Sequence, residues 1–447
     1  MKAVIDYLQN RGYFCVDENY YRFIALWQKW YAGKVPSVHN YTQYNGKKKI
    51  RRTRKSLGLA KTVSEDWANL LLNEKVQISI DKLSDKKKIE TVLKDNQFDK
   101  RANQLVELVF ALGTGALVEY MDGDAVKIDY VRAGMIYPLS WDNGRMKECA
   151  FASERICGRK KQVYLNIHKL ERGMYVIENL LFDYNGGKLT EADLPEGVMP
   201  VVTTGSEIAR FQIITPNIAN NIEPDSPMGI SIYANALDQL ESADLVYDSY
   251  CNEFRLGKKR VTVPLSMARM KMEEDGTTTP VFDDNDTEFF AVPYDEKGEN
   301  KIQEHNMELR AEAHEAGMQT MLNLVSWKTG SGGRRYVFRD GQIRTATEVI
   351  SSNSDLYRNL KKHEKSLNDA LLGMIDAIAD LLNLGRVKAA IAFDDSVIED
   401  TAAEKMTFRQ EVREGLRQKW EYRVKFYGED EETAKKMVES EPELTLV

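Results

Sequence analysis

The spacing of apolar residues divides the chain into stretches of different period. Residues 20–33 (YYRFIALWQKWYAG) are aromatic-rich with helical spacing around Trp27 and Trp30. A second helical stretch, TVSEDWANLLLNEKV, opens its apolar run at Ser64 and Trp67, and a third occupies 99–113, ending at Gly113 and Gly115. From 116 to 215 the period shortens to two in runs such as ALVEY, VKIDYV, QVYLNIHKL and MYVIENLLF. Between these runs stand Asp122-Gly123, Asp142-Asn143-Gly144, Arg172-Gly173 and Asn185-Gly186-Gly187, which predicts antiparallel hairpins.

Helical spacing returns at Ser231–Phe254, where Ile232, Ala236, Leu240, Ala243, Tyr247, Tyr250 and Phe254 form one apolar face. Lys258, Lys259 and Arg260 then lead into RVTVP and a small insertion with candidate strands at PVF and EFFAVP. A helix at about 306–325 returns from it, so two helices flank a small β module like a stalk with a tip. Beyond a glycine-rich basic loop, Thr345 and Glu348 form a capping box that opens a helix of roughly forty residues, far longer than the average of about 11–12. Its apolar seam (Tyr357, Leu360, Leu367, Leu371, Met374, Ile378, Leu381) asks for a long partner, for which the same helix of a neighbouring subunit is one choice. The strand KAAIAF and two polar helices, about 401–424 and 430–440, end the chain; Thr401 and Glu404 have capping-box spacing. The pattern predicts an α+β protein.

Composition narrows the function. A chain of 447 residues allows about two to four domains and needs no disulfide staples. Its net charge of −7 gives no global pull toward nucleic acid, so any such contact is local. Cys15, Cys149, Cys157 and Cys251 are widely spaced without a CxxC pair, as expected of reduced thiols in a cytosolic protein. No signal sequence and no apolar run of about 18 residues is present, so a soluble protein made in a cytoplasm is expected.

No catalytic constellation stands out, and no enzyme activity or cofactor is expected. His314 and Glu315 begin a zincin pattern that lacks its second histidine, and the five histidines form no metal-spaced cluster. Asp283, Asp284 and Asp286 could hold Mg²⁺, the basis of a rival nuclease reading, although a solvated acidic turn explains them as well. No GxxxxGK[ST] phosphate cradle occurs. The basic run Lys47, Lys48, Lys49, Arg51, Arg52, Arg54 and Lys55 suits phosphates or an acidic partner, or else a solvated loop.

Two charge patterns are more informative. Asp238, Glu241, Asp244 and Asp248 gather on one side of the first stalk helix, and Glu308, Glu312 and Glu315 on one side of the second. On a lone helix these are solvated faces. In a ring of stalks they become stacked carboxylates that centre a polyanion by repulsion over a Debye length of about 8 Å. The following loop has the opposite sign: Lys328, Arg334, Arg335 and Arg339 are cationic, and Gly330, Gly332 and Gly333 permit movement.

At these residues the chain resembles a portal protein of tailed bacteriophages, of the kind found in long-tailed phages of Gram-positive hosts. Four blocks carry the likeness, in matching order across about residues 15–440: RRTRKSLGLAKTVSEDWANLLLNEKVQI, PMGISIYANALDQLESADLVYDSYCNEFRLGKKRVTVP, TATEVISSNSDLYRNLKKHEKSLNDAL and IAFDDSVIEDTAAEK. The resemblance implies a dodecameric ring around a double-stranded DNA channel at one capsid vertex. DNA would be packaged and ejected through it, and the protein would assemble in the host cytoplasm. It implies a wing over 1–229, stem helices at 230–257 and 306–326, a clip at 258–305 and a tunnel loop at 327–343. A long wing helix with a returning strand would follow over 344–400, and a short crown-like tail over 401–447. Implied partners are further copies of the chain, capsid and scaffolding proteins, the terminase motor and a head-completion adaptor, with no membrane. A non-portal phage structural or adaptor protein is the other reading that the long helix allows.

Overall fold

The structure is a computed structural model, and it describes residues 2–44, 46–264, 270–272, 274–280, 289–292, 301–337, 346–393, 401–427 and 431–439. It begins with α1 (Lys2–Asn10), α2 (Glu18–Tyr31) and the short α3 (Pro36–His39). A hairpin of β1 (Asn40–Tyr44) and β2 (Lys49–Thr53) follows, then α4 (Leu59–Leu71), β3 (Gln77–Ile80), α5 (Leu83–Asp95) and α6 (Phe98–Leu112). Asp17 caps α2 by accepting from the Asn19 N–H, and the helix buries Tyr20, Tyr21, Ile24, Trp27 and Trp30 at spacings of three and four. Tyr20, Tyr21, Trp27 and Trp30 are therefore core, while Phe23 is exposed. Trp67 of α4 stacks on Phe110 of α6 with centroids 5.7 Å apart, joining the two helices.

The β region expected as one domain divides into two sheets. Strands β4 (Gly115–Asp122) and β5 (Ala125–Arg132) precede β6 (Ile136–Asp142), β7 (Arg145–Cys157), β8 (Lys160–Glu171), β9 (Met174–Asn185) and β10 (Lys188–Ala192). The last five form an antiparallel meander, with β11 (Val201–Thr203) added against β9. At the β6–β7 turn Asn143 and Gly144 both have positive φ, the conformation that matches the twist of the strands they join. Strand β12 (Phe211–Ile214) instead returns to β4, giving a separate sheet in the order β12-β4-β5.

Helix α7 (Leu237–Leu256) leads into the insertion: β13 (Arg260–Pro264), β14 (Met270–Met272), β15 (Thr278–Pro280), β16 (Phe289–Val292) and β17 (Gln303–His305). Within it β13 pairs parallel with β16 and antiparallel with β17, while β14 and β15 form a separate antiparallel pair. Helix α8 (Ala311–Lys328) follows, then α9 (Ala346–Leu381), β18 (Ala389–Ala392), α10 (Thr401–Arg413), α11 (Lys419–Tyr427) and α12 (Glu431–Glu439). The tail thus holds three helices where the pattern suggested two. Asp283, Asp284, Asp286 and the Thr345 cap lie outside the described residues.

The seam of α9 finds its partner within the chain. Leu360, Leu367, Leu371, Met374, Ile375 and Ile378 are buried against β4, β12, α4 and β18. Each such side chain contributes about 1.5–3 kcal/mol by leaving water. Polar contacts fix the register: Ser366 Oγ donates to the Thr215 carbonyl at 2.9 Å, and the Asn217 N–H donates to His363 Nδ1 at 3.0 Å. The ring of His363 is wedged edge-on against Trp67 and Phe110. Strand β18 completes this side by pairing antiparallel with β3, more than three hundred residues earlier in the chain.

Where α6 ends, Gly113 adopts φ +87°, and a Cβ there would sit 2.3 Å from the Gly229 carbonyl oxygen. A Cβ on Gly229 would likewise meet the Gly113 carbonyl at 2.3 Å, so two backbones cross in direct contact. Gly113→Ala and Gly229→Ala should each cost at least about 2 kcal/mol in chemical unfolding, Gly113→Ala for both its clash and its left-handed backbone.

Burial, with a smaller effect from Lys362, pushes His363 down from 6.5 to about 3. Between those values the unfolded chain binds a proton that the folded chain refuses, so this stabilisation is complete above 6.5 and is lost as pH falls toward 3. The slope contributed is at most about 1.4 kcal/mol per pH unit. His363→Gln, which retains an acceptor for Asn217, should unfold with a shallower dependence between about pH 6 and about pH 4.

Candidate functional site

Helices α7 and α8 pack antiparallel. Val246 lies against Gly317, Ser249 Oγ meets His314 Nε2 at 3.1 Å, and Leu309 covers Gly257. Near the insertion Arg310 clamps Glu253 through Nε and Nη2 at 3.0 and 2.8 Å, and the Arg310 N–H donates to the same carboxylate at 3.1 Å. The arginine side chain and backbone bonds hold Glu253 down to about 2. The helical span begins later than the periodicity suggested. Residues Met228–Tyr233 form an irregular, buried root rather than the first turns of α7.

That root is bonded on all sides. Ile232 N–H and Ser231 Oγ donate to the Phe110 carbonyl at 2.9 and 3.3 Å, and Gly229 N–H donates to Thr114 Oγ1 at 3.0 Å. Tyr20 Oη donates to the Gly229 carbonyl at 2.7 Å, and Tyr233 Oη to the Trp27 carbonyl at 2.9 Å. Buried backbone requires such partners.

The acidic face of α7 is not uniform. Asp238 and Glu241 are exposed, whereas Asp244 and Asp248 are 3% and 8% exposed. Asp244 accepts from the Leu57 N–H at 2.7 Å and from His39 Nε2 at 2.9 Å. His39 Nδ1 accepts from the Val35 N–H, so Nε2 is the donating nitrogen. Asp248 accepts from the Lys55 N–H and from Asn252 Nδ2, both at 3.0 Å. The expectation that all four carboxylates form one free stripe is corrected here. Two of them hold the chain that leaves the β1–β2 hairpin, because a carboxylate buried against backbone N–H groups is worth more than one in water. On α8, Glu312 is exposed and Glu315 half-buried, while Glu308 is exposed just before the helix.

The basic loop is also partly committed. Helix α8 continues through Trp327 and Lys328, both exposed, and Lys328 Nζ lies 5.8 Å from the Trp327 ring centre. The Thr329 carbonyl accepts from Trp67 Nε1 at 3.2 Å and the Gly330 carbonyl from Asn359 Nδ2 at 2.9 Å. Gly330 and Gly332 take positive φ in a turn that is half-buried to buried, so here they provide shape rather than movement. Gly333 and Arg334 are exposed. Arg335 forms a two-pronged bond with Asp66 at 2.9 and 2.7 Å, joined by Tyr336 Oη at 3.3 Å. The expectation of a free, phosphate-seeking Arg335 is therefore corrected: although exposed, it is held through Nε and Nη2 by α4, at the edge of a cleft lined also by Asn69, Asn103 and Leu371. Arg339 lies outside the described residues.

His39, Asp66, Trp67 and Asn359 thus join this region without having been singled out as site residues. Their partners lie tens to hundreds of positions away, and no local spacing marks them. Among the described residues no group of three His, Cys, Asp or Glu could hold a metal ion, and no helix is long and apolar enough to cross a membrane.

Asp244→Ala and Asp248→Ala should loosen the hairpin base, costing about 1–3 kcal/mol per orphaned buried donor. Limited trypsin digestion should then cut among residues 47–55 several-fold faster than in the unaltered chain, with helical content retained. The control Glu312→Ala, at an exposed position on α8, should leave cleavage unchanged.

One comparison bears on this arrangement. The family model described as phage portal protein, SPP1 Gp6-like, matches residues 16–440. No curated protein matches the chain.

Proposed function

The chain belongs to the phage portal protein family, and from that premise we propose that it forms a closed ring through which double-stranded DNA is packaged and ejected. The family assigns it a structural role at the portal vertex of a phage capsid. The observation that carries the finer reading is the order of parts within the matched span: wing sheets, α7, β insertion, α8, anchored basic turn and α9. In this reading α7 and α8 are the stem, 258–305 is the clip that docks the motor and head-completion proteins, and the segment after α8 leads to the tunnel loop. The wing contacts capsid and scaffold, and α10–α12 form a short crown.

The internal contacts sharpen which charges serve a channel. With Asp244 and Asp248 turned into the chain, Asp238 and Glu241 remain exposed on α7, and the carboxylates proposed for the lumen are Glu312, Glu308 and Glu315 on the α8 side. Lys328, Arg334 and Arg335 are all exposed, and Arg335 is the one held by Asp66, so Lys328 and Arg334 are the cations proposed to meet DNA. Repulsion from carboxylates and weak attraction from a few cations would let DNA slide without being gripped.

Negative-stain imaging of the purified protein should give cogwheels with a central hole, and solid particles would refute the channel. Reversing the wall charge with Glu308→Lys and Glu312→Lys should leave the rings intact. Packaged DNA per capsid should fall about tenfold if the cations hold passing phosphates. Normal packaging by that variant would remove these residues from the channel wall.

A further inference from the structure

The hairpin β1–β2 concentrates one sign of charge. Between Asn40 and Leu57 the chain carries Lys47, Lys48, Lys49, Arg51, Arg52, Arg54 and Lys55 and no Asp or Glu. A lone two-stranded hairpin is marginal in water, and like charges on neighbouring strands oppose it. Its base is nevertheless secured: Asp244 and Asp248 bind the chain at Leu57 and Lys55, and Arg54 donates to the Val38 carbonyl at 3.1 Å while lying over Tyr41. Toward the tip, the pairing sets Tyr44 opposite Lys49 and Thr42 opposite Arg51, so these four side chains share one face. Tyr44 is 65% exposed on that face, opposite the exposed Lys49 and diagonal to the exposed Arg51.

Helix α7 offers the complement. One flank enters the core through Leu240 and Ala243, a second holds the hairpin base, and a third packs on α8 through Val246 and Ser249. The strip left to solvent carries Asp238 and Glu241, neither with an ion-pair partner among the described residues, beside Leu245 at 50% exposure.

We infer that the hairpin is a clasp between copies of the chain, its Tyr44–Lys49–Arg51 face seated on the Asp238–Glu241–Leu245 strip of a neighbouring α7. This rests on the ring reading above. A closed ring needs a patch that meets a different patch on the next copy. The chain carries two such patches, opposite in charge and each with an exposed apolar side chain, tied to the same helix. Cationic groups meeting carboxylates fix register and exclude wrong partners, and the apolar contact supplies cohesion. A DNA backbone would satisfy the cations but leave Leu245 and the carboxylates of α7 uncovered, which favours a second copy.

The test uses the full chain with the accessible native thiols removed by Cys157→Ser and Cys251→Ser; Cys15 and Cys149 are buried. With Arg51→Cys and Glu241→Cys added, a short bis-maleimide should turn imaged rings into a ladder of covalent multimers, and either cysteine alone should give none. Rings without a ladder overturn the clasp and leave the ring reading standing, whereas absence of rings in the unaltered protein overturns the ring reading itself. Independently, Lys49→Glu with Arg51→Glu should raise the concentration for half-assembly about tenfold. Adding Asp238→Lys and Glu241→Lys to the same chain should restore it. Failure of that restoration overturns the pairing with α7. Unchanged assembly with lost retardation of a double-stranded DNA fragment would make the hairpin a nucleic-acid contact instead.

Discussion

Everything in this chain that projects from the core depends on how the root of α7 is buried. Residues Met228–Tyr233 pass between α2 and α6 with no regular secondary structure, where each unpaired backbone group would cost about 1–3 kcal/mol. Phe110, Thr114, Tyr20 and Trp27 supply the partners, and the Gly113–Gly229 crossing lets the backbones approach closely enough to use them. A helix that begins from so constrained a segment leaves the core in one direction. The insertion at its far end is then carried by α7 and α8 as a braced pair, clamped at its outer end by Arg310 and Glu253.

The same economy governs charge. Carboxylates on α7 and α4 that look solvent-directed in one dimension are used inside the chain, Asp244 and Asp248 on backbone N–H groups and Asp66 on Arg335. Each ties an excursion of the chain, the basic hairpin or the turn after α8, to a helix that cannot move without the core. Such ties decide which charged segments are held against the core and which are not. Trp67 is the common point: it stacks on Phe110, meets His363 edge-on and donates to Thr329, linking α6, α9 and the end of α8 through one side chain.

Much of the architecture could be read along the chain. The hairpin signals at Asn143-Gly144 and Arg172-Gly173 marked real turns, and the periodicity around Leu240 and Ala243 marked the buried face of α7. What misled was the assumption that a helix has only one apolar and one polar side. Asp244 sits on the polar side by composition, yet another segment covers it through the Leu57 main-chain N–H, which no side-chain pattern marks, and through the distant His39. The α9 seam was visible, but its partners, β12 and β4, lie more than a hundred residues earlier, and periodicity records a buried face without recording what buries it.

The amino-acid sequence by itself determined the local elements, the α+β class and, through four ordered blocks, the family to which the chain belongs. Hydrophobic period, turn chemistry and motif order are all carried by neighbouring residues. Only the tertiary structure decided which charges are free. The division of the β region into two sheets, the pairing of β18 with β3, and the loss of Asp244, Asp248 and Arg335 to internal partners depend on residues far apart in sequence. The physical reason is that a charged side chain takes its role from whatever desolvates it, and that neighbour is set by the packing of the whole chain.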